Sequence, residues 1–396
     1  MKKMILRNVL LSAVLTATTT LTFAAEGVTI YGVKSVSGAF ASYGKYADMG
    51  SKLAVEDYGT LLGQPVSYKT LDTEGNAGKA VRKVQEAISQ DNARFFDGAT
   101  LSSTALAIGK EVNKVNGVFM TPAGADELTG VDCNMSTFRW SVPTYGAIRQ
   151  TVKPLIDQFP EKKRWYTITP QYVFGEALLE NAKQVFEAEG VEHVGNSYHS
   201  LKEQEFSGYL TNAMAAQPDV LLLLNFGSQS SNALRQAINF GLKNQMTILM
   251  AWSSGLDQLQ ELGPDIADGV YFGAQYWHTV DTPMNNALVK RVNEAYGMNP
   301  NYPLAADYIG TTAILNAIAK AGTTDSAVVA KALEGVTYDG PTGSEFVRAA
   351  DHQVLKDYYL LKGKPASEMA DADDYVDIIS SGKSFPDEAT LACKRS

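Results

Sequence analysis

The feature that most restricts the fold of this chain is a rhythm. A short apolar run is followed by a helical stripe, and the pair repeats along nearly the whole length. "VTIYGV" (28–33) is a buried-strand run, and a helix pattern follows from Lys45 to Tyr58. "PVSYKTL" precedes "AGKAVRKVQEAISQ", in which Ala80, Val81, Val84 and Ile88 fall on one apolar stripe. The rhythm returns with "RWYTIT" and "GEALLENAKQVFEAEG", then with "DVLLLLNF" and "SNALRQAINFGLK". It runs on through "QMTILMAW" and "GVYFGAQYW". Strands that are apolar without alternation need cover on both faces, so these units predict α/β architecture with parallel sheets between helices. A chain of 396 residues with this many units exceeds one core, and two lobes are expected. No internal sequence repeat and no low-complexity linker marks the division.

In such sheets ligands sit at the carboxyl ends of strands, where loops meet helix starts. Five loops there share a character: "TLSST", "TPAGADEL", "TPQYVFGE", "NFGSQSS" and "AWSSGLD". They carry small hydroxyl residues, glycine or aromatics and almost no charge. The stretch "DGATLSSTALAIG" (97–109) poses the choice most sharply, with Ser102, Ser103 and Thr104 between an apolar run and a helical one. Serines at a helix start cap unpaired amides, but the same geometry is a ready anion site. One such loop is ordinary capping; five together predict a cleft built from helix starts and aromatic walls.

The formal charge of −9 becomes −12 without the first 24 residues, which carry Lys2, Lys3 and Arg7 and no acid. An acidic chain without a dense basic run repels phosphate backbones, so nucleic acid is not an expected partner. Residues 1–24 have a basic start, an apolar middle and small residues at the end, the pattern of a secretory signal. Thr22 and Ala24 suit a cut after Ala24. An uncleaved anchor is the competing reading, weakened by the serine and threonines that dilute a segment already short for a bilayer. No Cys lies near the cut, so lipid attachment there is not expected, and no later segment is long and apolar enough to span a membrane. Two cysteines remain, Cys133 and Cys393. In an oxidising compartment a single pair reads as one disulfide, against the alternative of two buried thiols.

The four histidines, His193, His199, His278 and His352, form no metal-ligand pair. "GNAGKA" lacks the spacing of a phosphate loop, "AWSSGL" lacks the glycine of a nucleophile elbow, and no dinucleotide fingerprint follows the first strand. No cofactor or metal is expected, and an enzyme is the disfavoured reading.

Seven stretches carry a resemblance. They are "SGAFASYG", "DTEGNAGKAVRKVQEAI", "LSSTALAI", "TPAGADELTG", "FGEALLENAK", "LRQAINFGLK" and "YIGTTAILNAIAKAGTTD". In this order and spacing the chain resembles the periplasmic solute-binding proteins of branched-chain amino-acid ABC importers, the leucine/isoleucine/valine-binding type. The resemblance covers nearly all of the chain after residue 24. It implies two Rossmann-like lobes joined by three hinge strands, closing on a small ligand and delivering it to an inner-membrane permease from the periplasm. Lobe 1 would take 25–142 and 276–335, and lobe 2 would take 143–275 and 336–364. The tail 365–396 is left unassigned; a Cys133–Cys393 bond would hold it near the hinge side of lobe 1. A monomer is expected.

By the same resemblance a ligand carboxylate would meet Leu101 (backbone), Ser102, Ser103, Ala123 (carbonyl), Gly124 and Ala125 (amide). Leu101 and Ala125 stand where the amino-acid binders offer hydroxyls. Tyr43, Tyr172, Phe174, Phe226, Tyr276 and Tyr308 would wall the cleft, though Tyr276 and Tyr308 equally suit a core. Amino-acid binders place an acid against the ligand's ammonium, and here Ser254 aligns there, with Asp257 three residues further on. An unpaired buried cation is costly, so an aromatic or aliphatic acid, or an amide, becomes a credible ligand beside branched-chain amino acids. The alternative function is a ligand-sensing domain of a regulatory system.

Overall fold

The computed structural model describes residues 27–395, so the expected signal segment and its cut lie outside the described residues. The first sheet holds β1 (Val28–Lys34), β2 (Thr60–Leu61), β3 (Gln64–Asp72), β4 (Phe95–Gly98), β5 (Val118–Thr121) and β6 (Thr137–Arg139). Its order is β2-β3-β1-β4-β5-β6, parallel throughout except the short β2 edge. A second sheet begins with β7 (Arg164–Pro170), β8 (Glu192–His199), β9 (Val220–Leu223), β10 (Thr247–Met250) and β11 (Tyr271–Ala274). The continuous apolar runs are buried on both faces, as in β9, where all four residues of "VLLL" are covered.

Next come β12 (Thr337–Gly340), β13 (Gly343–Val347) and β14 (Val354–Leu355), a small antiparallel sheet of their own. Then β15 (Tyr358–Gly363) and β16 (Val376–Gly382) return to the second sheet, giving the order β16-β15-β11-β10-β9-β7-β8. The segment 336–364, expected in lobe 2, is therefore split. Residues 337–355 stay with the first sheet, to which Gln353 bridges at Arg139, and lobe 2 resumes at β15. Strand pattern alone hid this, because the small sheet's strands are short and partly exposed.

Each lobe has its own interior. Ile30, Leu53, Phe138 and Ile314 are fully buried in lobe 1, and Ile168, Leu210, Leu223 and Phe272 in lobe 2. Each such side chain contributes roughly 1.5–3 kcal/mol by leaving water. The hinge is polar and clamped. Val142 donates its N–H to Gln275 Oε1 (2.9 Å), and Gln275 Nε2 donates to the Val142 carbonyl (2.8 Å). Lys356 Nζ donates to the Gln275 carbonyl (2.6 Å), so all three connections meet at one glutamine.

The unassigned tail divides in two. Residues 376–382 form the edge of the second sheet, and the chain then runs back to lobe 1. There Arg348 donates to the Pro386 carbonyl (2.8 Å), and Cys133 and Cys393 form a disulfide with Cα atoms 5.5 Å apart. This is a fourth connection between the lobes.

Candidate ligand-binding cleft

The helix Ser102–Asn113 leaves β4 through residues 99–101, and its first residue is Ser102. Leu101 is the N-cap, and no side chain caps the helix, so the serine run does not spend its hydroxyls on capping. Ser102 is 2% exposed, and its Oγ accepts the Ala125 N–H (3.2 Å), which leaves its own proton for a ligand oxygen. Ser103, one position on, is exposed on the outer side. Behind the loop after β5 lies buried Arg139, which donates to the Gly124 carbonyl (3.2 Å) and to the Ala125 carbonyl. Burial pulls its guanidinium down to about 10, still charged at neutral pH. A helix start, a serine hydroxyl and a cation behind the loop together favour an anion here.

A second device holds this wall. Lys34 at the end of β1 pairs with Asp97 of β4 (3.2 Å) and with Asp307 on the helix Tyr302–Ala321, all three buried. The ion pair fixes that helix, and with it the Tyr302 ring, against the sheet. Burial pushes the Asp307 carboxyl up to about 7 while Lys34 opposes the rise.

Rings from both lobes fill the space between. Tyr43 and Tyr302 of lobe 1 are 5.9 Å apart, and Tyr43 meets Phe226 of lobe 2 edge-on at 5.2 Å. Phe174 lies 5.0 Å from Trp252, and Trp252 lies 6.4 Å from Tyr302. Tyr302 donates its hydroxyl to the Pro122 carbonyl (2.8 Å), which turns its ring face inward. Gly124 is where lobe 1 touches these rings: a Cβ there would lie 2.6 Å from Trp252 and 2.7 Å from Phe174. The lobes are thus closed on one another, and the remaining cavity is only about 10 Å³. That volume suits one water, whereas a benzene-sized guest occupies a cavity of about 150 Å³. Entry of any ring requires the lobes to part.

Seven of the residues expected at the site line this cavity: Tyr43, Ser102, Ala123, Gly124, Tyr172, Phe174 and Phe226. Leu101, Ser103, Ala125, Ser254, Tyr276 and Tyr308 do not. Tyr276 is buried, and Tyr308 donates to Asp57 (2.9 Å) on the outer face of lobe 1. Thr100, Pro122, Trp252 and Tyr302 line the cavity without having been expected there. Ser254 is tied within lobe 2, its N–H donating to Gln258 Oε1 at 2.9 Å. Asp257 is different. Its Oδ1 is buried without a hydrogen-bond partner among the described residues, and burial pushes the carboxyl up to about 7.

The family model described as periplasmic binding protein matches residues 27–368. The chain belongs to the periplasmic binding protein family. A relative from Brucella melitensis, Leu/Ile/Val-binding protein homolog 4, is 26% identical over 359 residues, covering 83% of this chain and 82% of its own. A solved structure from Pseudomonas fluorescens Pf-5, an amino acid ABC transporter substrate-binding protein, is 70% identical with a TM-score of 0.91. It covers 94% of this chain and 100% of that one. A Rhodopseudomonas palustris solute-binding protein in complex with benzoate shares the fold at 20% identity, with a TM-score of 0.82. It covers 93% of this chain and 99% of that chain. As a periplasmic binding protein, the chain has the two-lobed α/β fold of its family, with the cleft at the carboxyl ends of the strands. Among the described residues no helix is long and apolar enough to cross a membrane. No cluster of candidate metal ligands occurs among them either.

Proposed function

We propose that this periplasmic binding protein captures a small aromatic carboxylate between its lobes and delivers it to the permease of an ABC importer. The observation that carries the reading is the pairing of an anion-favouring wall with a wall of rings. Ser102 and the start of its helix face Phe174, Phe226 and Trp252 across a few ångströms. A planar acid satisfies both: its carboxylate takes the hydroxyl and amide donors, and its ring replaces the ring-on-ring contacts that now fill the cleft. The chemistry is capture and release, with no covalent step. The chain is exported, the cut falls after Ala24, and the protein that acts begins at Ala25.

A second reading, a zwitterionic amino acid, is favoured by Asp257, a buried acid of lobe 2 whose Oδ1 lacks a hydrogen-bond partner among the described residues. The Pseudomonas fluorescens relative, described as an amino acid transporter component, supports it too. A thermal-shift screen over amino acids, aromatic acids, aliphatic acids and amides separates the two. A ligand that binds only the folded state raises the melting temperature, by an amount set by its concentration over Kd. The account expects the largest shift from an aromatic acid without an amine; the largest shift from leucine, isoleucine or valine would replace it by the second reading.

A further inference from the structure

Between β15 and β16 the chain makes an excursion, residues 364–375, whose tip lies past residue 368, where the match to the family model ends. Both strands belong to the second sheet, so this strap starts and ends on lobe 2. It is anchored there: Lys364 pairs with Asp374 (2.8 Å) and Asp377 (3.1 Å), and Tyr375 is buried in the lobe 2 interior. Bonds within the strap fix its tip. The Ala370 N–H donates to Asp374 Oδ2 (2.9 Å), and the Asp373 N–H donates to Asp371 Oδ1 (2.8 Å).

The tip reaches the other lobe. Asp373 divides its carboxylate: Oδ1 accepts from Gln260 Nε2 of lobe 2 (2.7 Å), and Oδ2 accepts from Asn299 Nδ2 of lobe 1 (2.9 Å). Gln260 lies on the helix Leu256–Leu262 after β10, and Asn299 lies just before the helix that begins at the cleft-lining Tyr302. The lobes touch beside this bridge, since a Cβ on Gly255 would lie 3.0 Å from the Tyr302 N. A second bridge joins Asp126 of lobe 1 to Asn181 of lobe 2, whose Nδ2 donates to Asp126 Oδ2 (2.6 Å). Asn181 lies on the helix Val173–Glu189 after β7. In the sheet β7 and β10 stand either side of β9, whose exit carries Phe226, so the two bridges flank the ring-filled cleft. Neither Asp373 nor Asn299 lines the cavity.

We propose that the strap is a clasp: Asp373 bonds Asn299 across the junction, holds the lobes closed, and raises affinity for the captured molecule without touching it. An amide donating to a carboxylate is among the stronger hydrogen bonds, and parting the lobes breaks it. Gln260 and the bonds within the strap keep the carboxylate in place, so little freedom is lost when Asn299 arrives. Apparent affinity scales with the fraction of protein in the binding-competent state, which the clasp enlarges. It acts on any ligand that lets the lobes close, aromatic acid or amino acid alike.

Exchanging the pair in the mature, disulfide-bonded protein tests it. Asn299→Asp is close to isosteric and sets two half-buried carboxylates against one another across the junction. Adding Asp373→Asn to it restores one amide and one carboxylate with the sides reversed. The readouts are small-angle scattering of the ligand-free protein and calorimetric titration with benzoate. The single variant should have a larger radius of gyration and bind benzoate about tenfold more weakly, the loss shrinking as salt is raised. The double variant should return both to the parent values. Asn299→Ala, which removes the donor and adds no charge, should show the same changes to a smaller degree and serves if Asn299→Asp does not fold. The clasp is overturned if the single variants move neither radius nor affinity, or if the double variant restores neither. Should benzoate not bind the parent, the carboxylate reading fails and the radius alone decides the clasp.

Discussion

Ser102 sits at the first position of an uncapped helix, with one lone pair on the Ala125 amide and its proton uncommitted. Ser102→Ala removes a hydrogen bond to a charged acceptor, roughly 1.5–3 kcal/mol, or about ten- to a hundred-fold in affinity for the best acid of the screen. The melting temperature should fall modestly as well, because the buried Ala125 N–H loses its acceptor; that fall with unchanged affinity would make the serine structural only. This residue was legible, since its run of hydroxyls stands at a strand exit. Tyr302 was not. It shares a helix with Tyr308, six residues on, and at about 100° per residue the two point to widely different sides. Only one can face the cleft, and sequence alone does not say which; the structure gives Tyr302 to the cleft and Tyr308 to Asp57. Arg139 was equally hidden, an arginine inside a buried strand whose purpose appears only when the Gly124 and Ala125 carbonyls fold over it.

At the scale of elements, the loop after β5 is the part of lobe 1 that meets the lobe 2 rings. A methyl at Gly124 would collide with Trp252 and Phe174 in the closed arrangement, and the nearest atoms that it meets all belong to lobe 2. Gly124→Ala should therefore leave the melting curve of the ligand-free protein nearly unchanged. It should weaken acid binding by about tenfold, or 1.4 kcal/mol. Small-angle scattering at saturating ligand should give a larger radius of gyration than for the parent. Equal radii and equal affinity would mean that closure does not bring these elements together. The strand–helix units were legible because continuous apolar runs and helical stripes have different periods. The helix Ala77–Gln90 falls where its stripe ended it, helped by its Asn76 cap. The small sheet 337–355 was not legible, because its strands are short and lie half in solvent.

For the whole molecule, the returning tail closes a loop of 260 residues through Cys133 and Cys393. Cys393→Ser should cost about 2–4 kcal/mol of stability, read as a lowered melting temperature, and the oxidised parent should show no free thiol when denatured. Two reactive thiols, or an unchanged melting temperature, would contradict that role. The pairing itself was legible from a count of two cysteines in an exported chain. The path by which the tail crosses back to lobe 1 was not, since it depends on β16 first joining the second sheet. The central claim is that the two walls, one for an anion and one for a ring, select a planar acid over a zwitterion. Competition between benzoate and leucine for one preparation, followed by calorimetry, tests it most directly. Leucine should bind at least about tenfold more weakly than the acid, because no charged side chain lines the cleft to meet its ammonium. Tight leucine binding that displaces benzoate and disappears in Asp257→Asn would contradict the account.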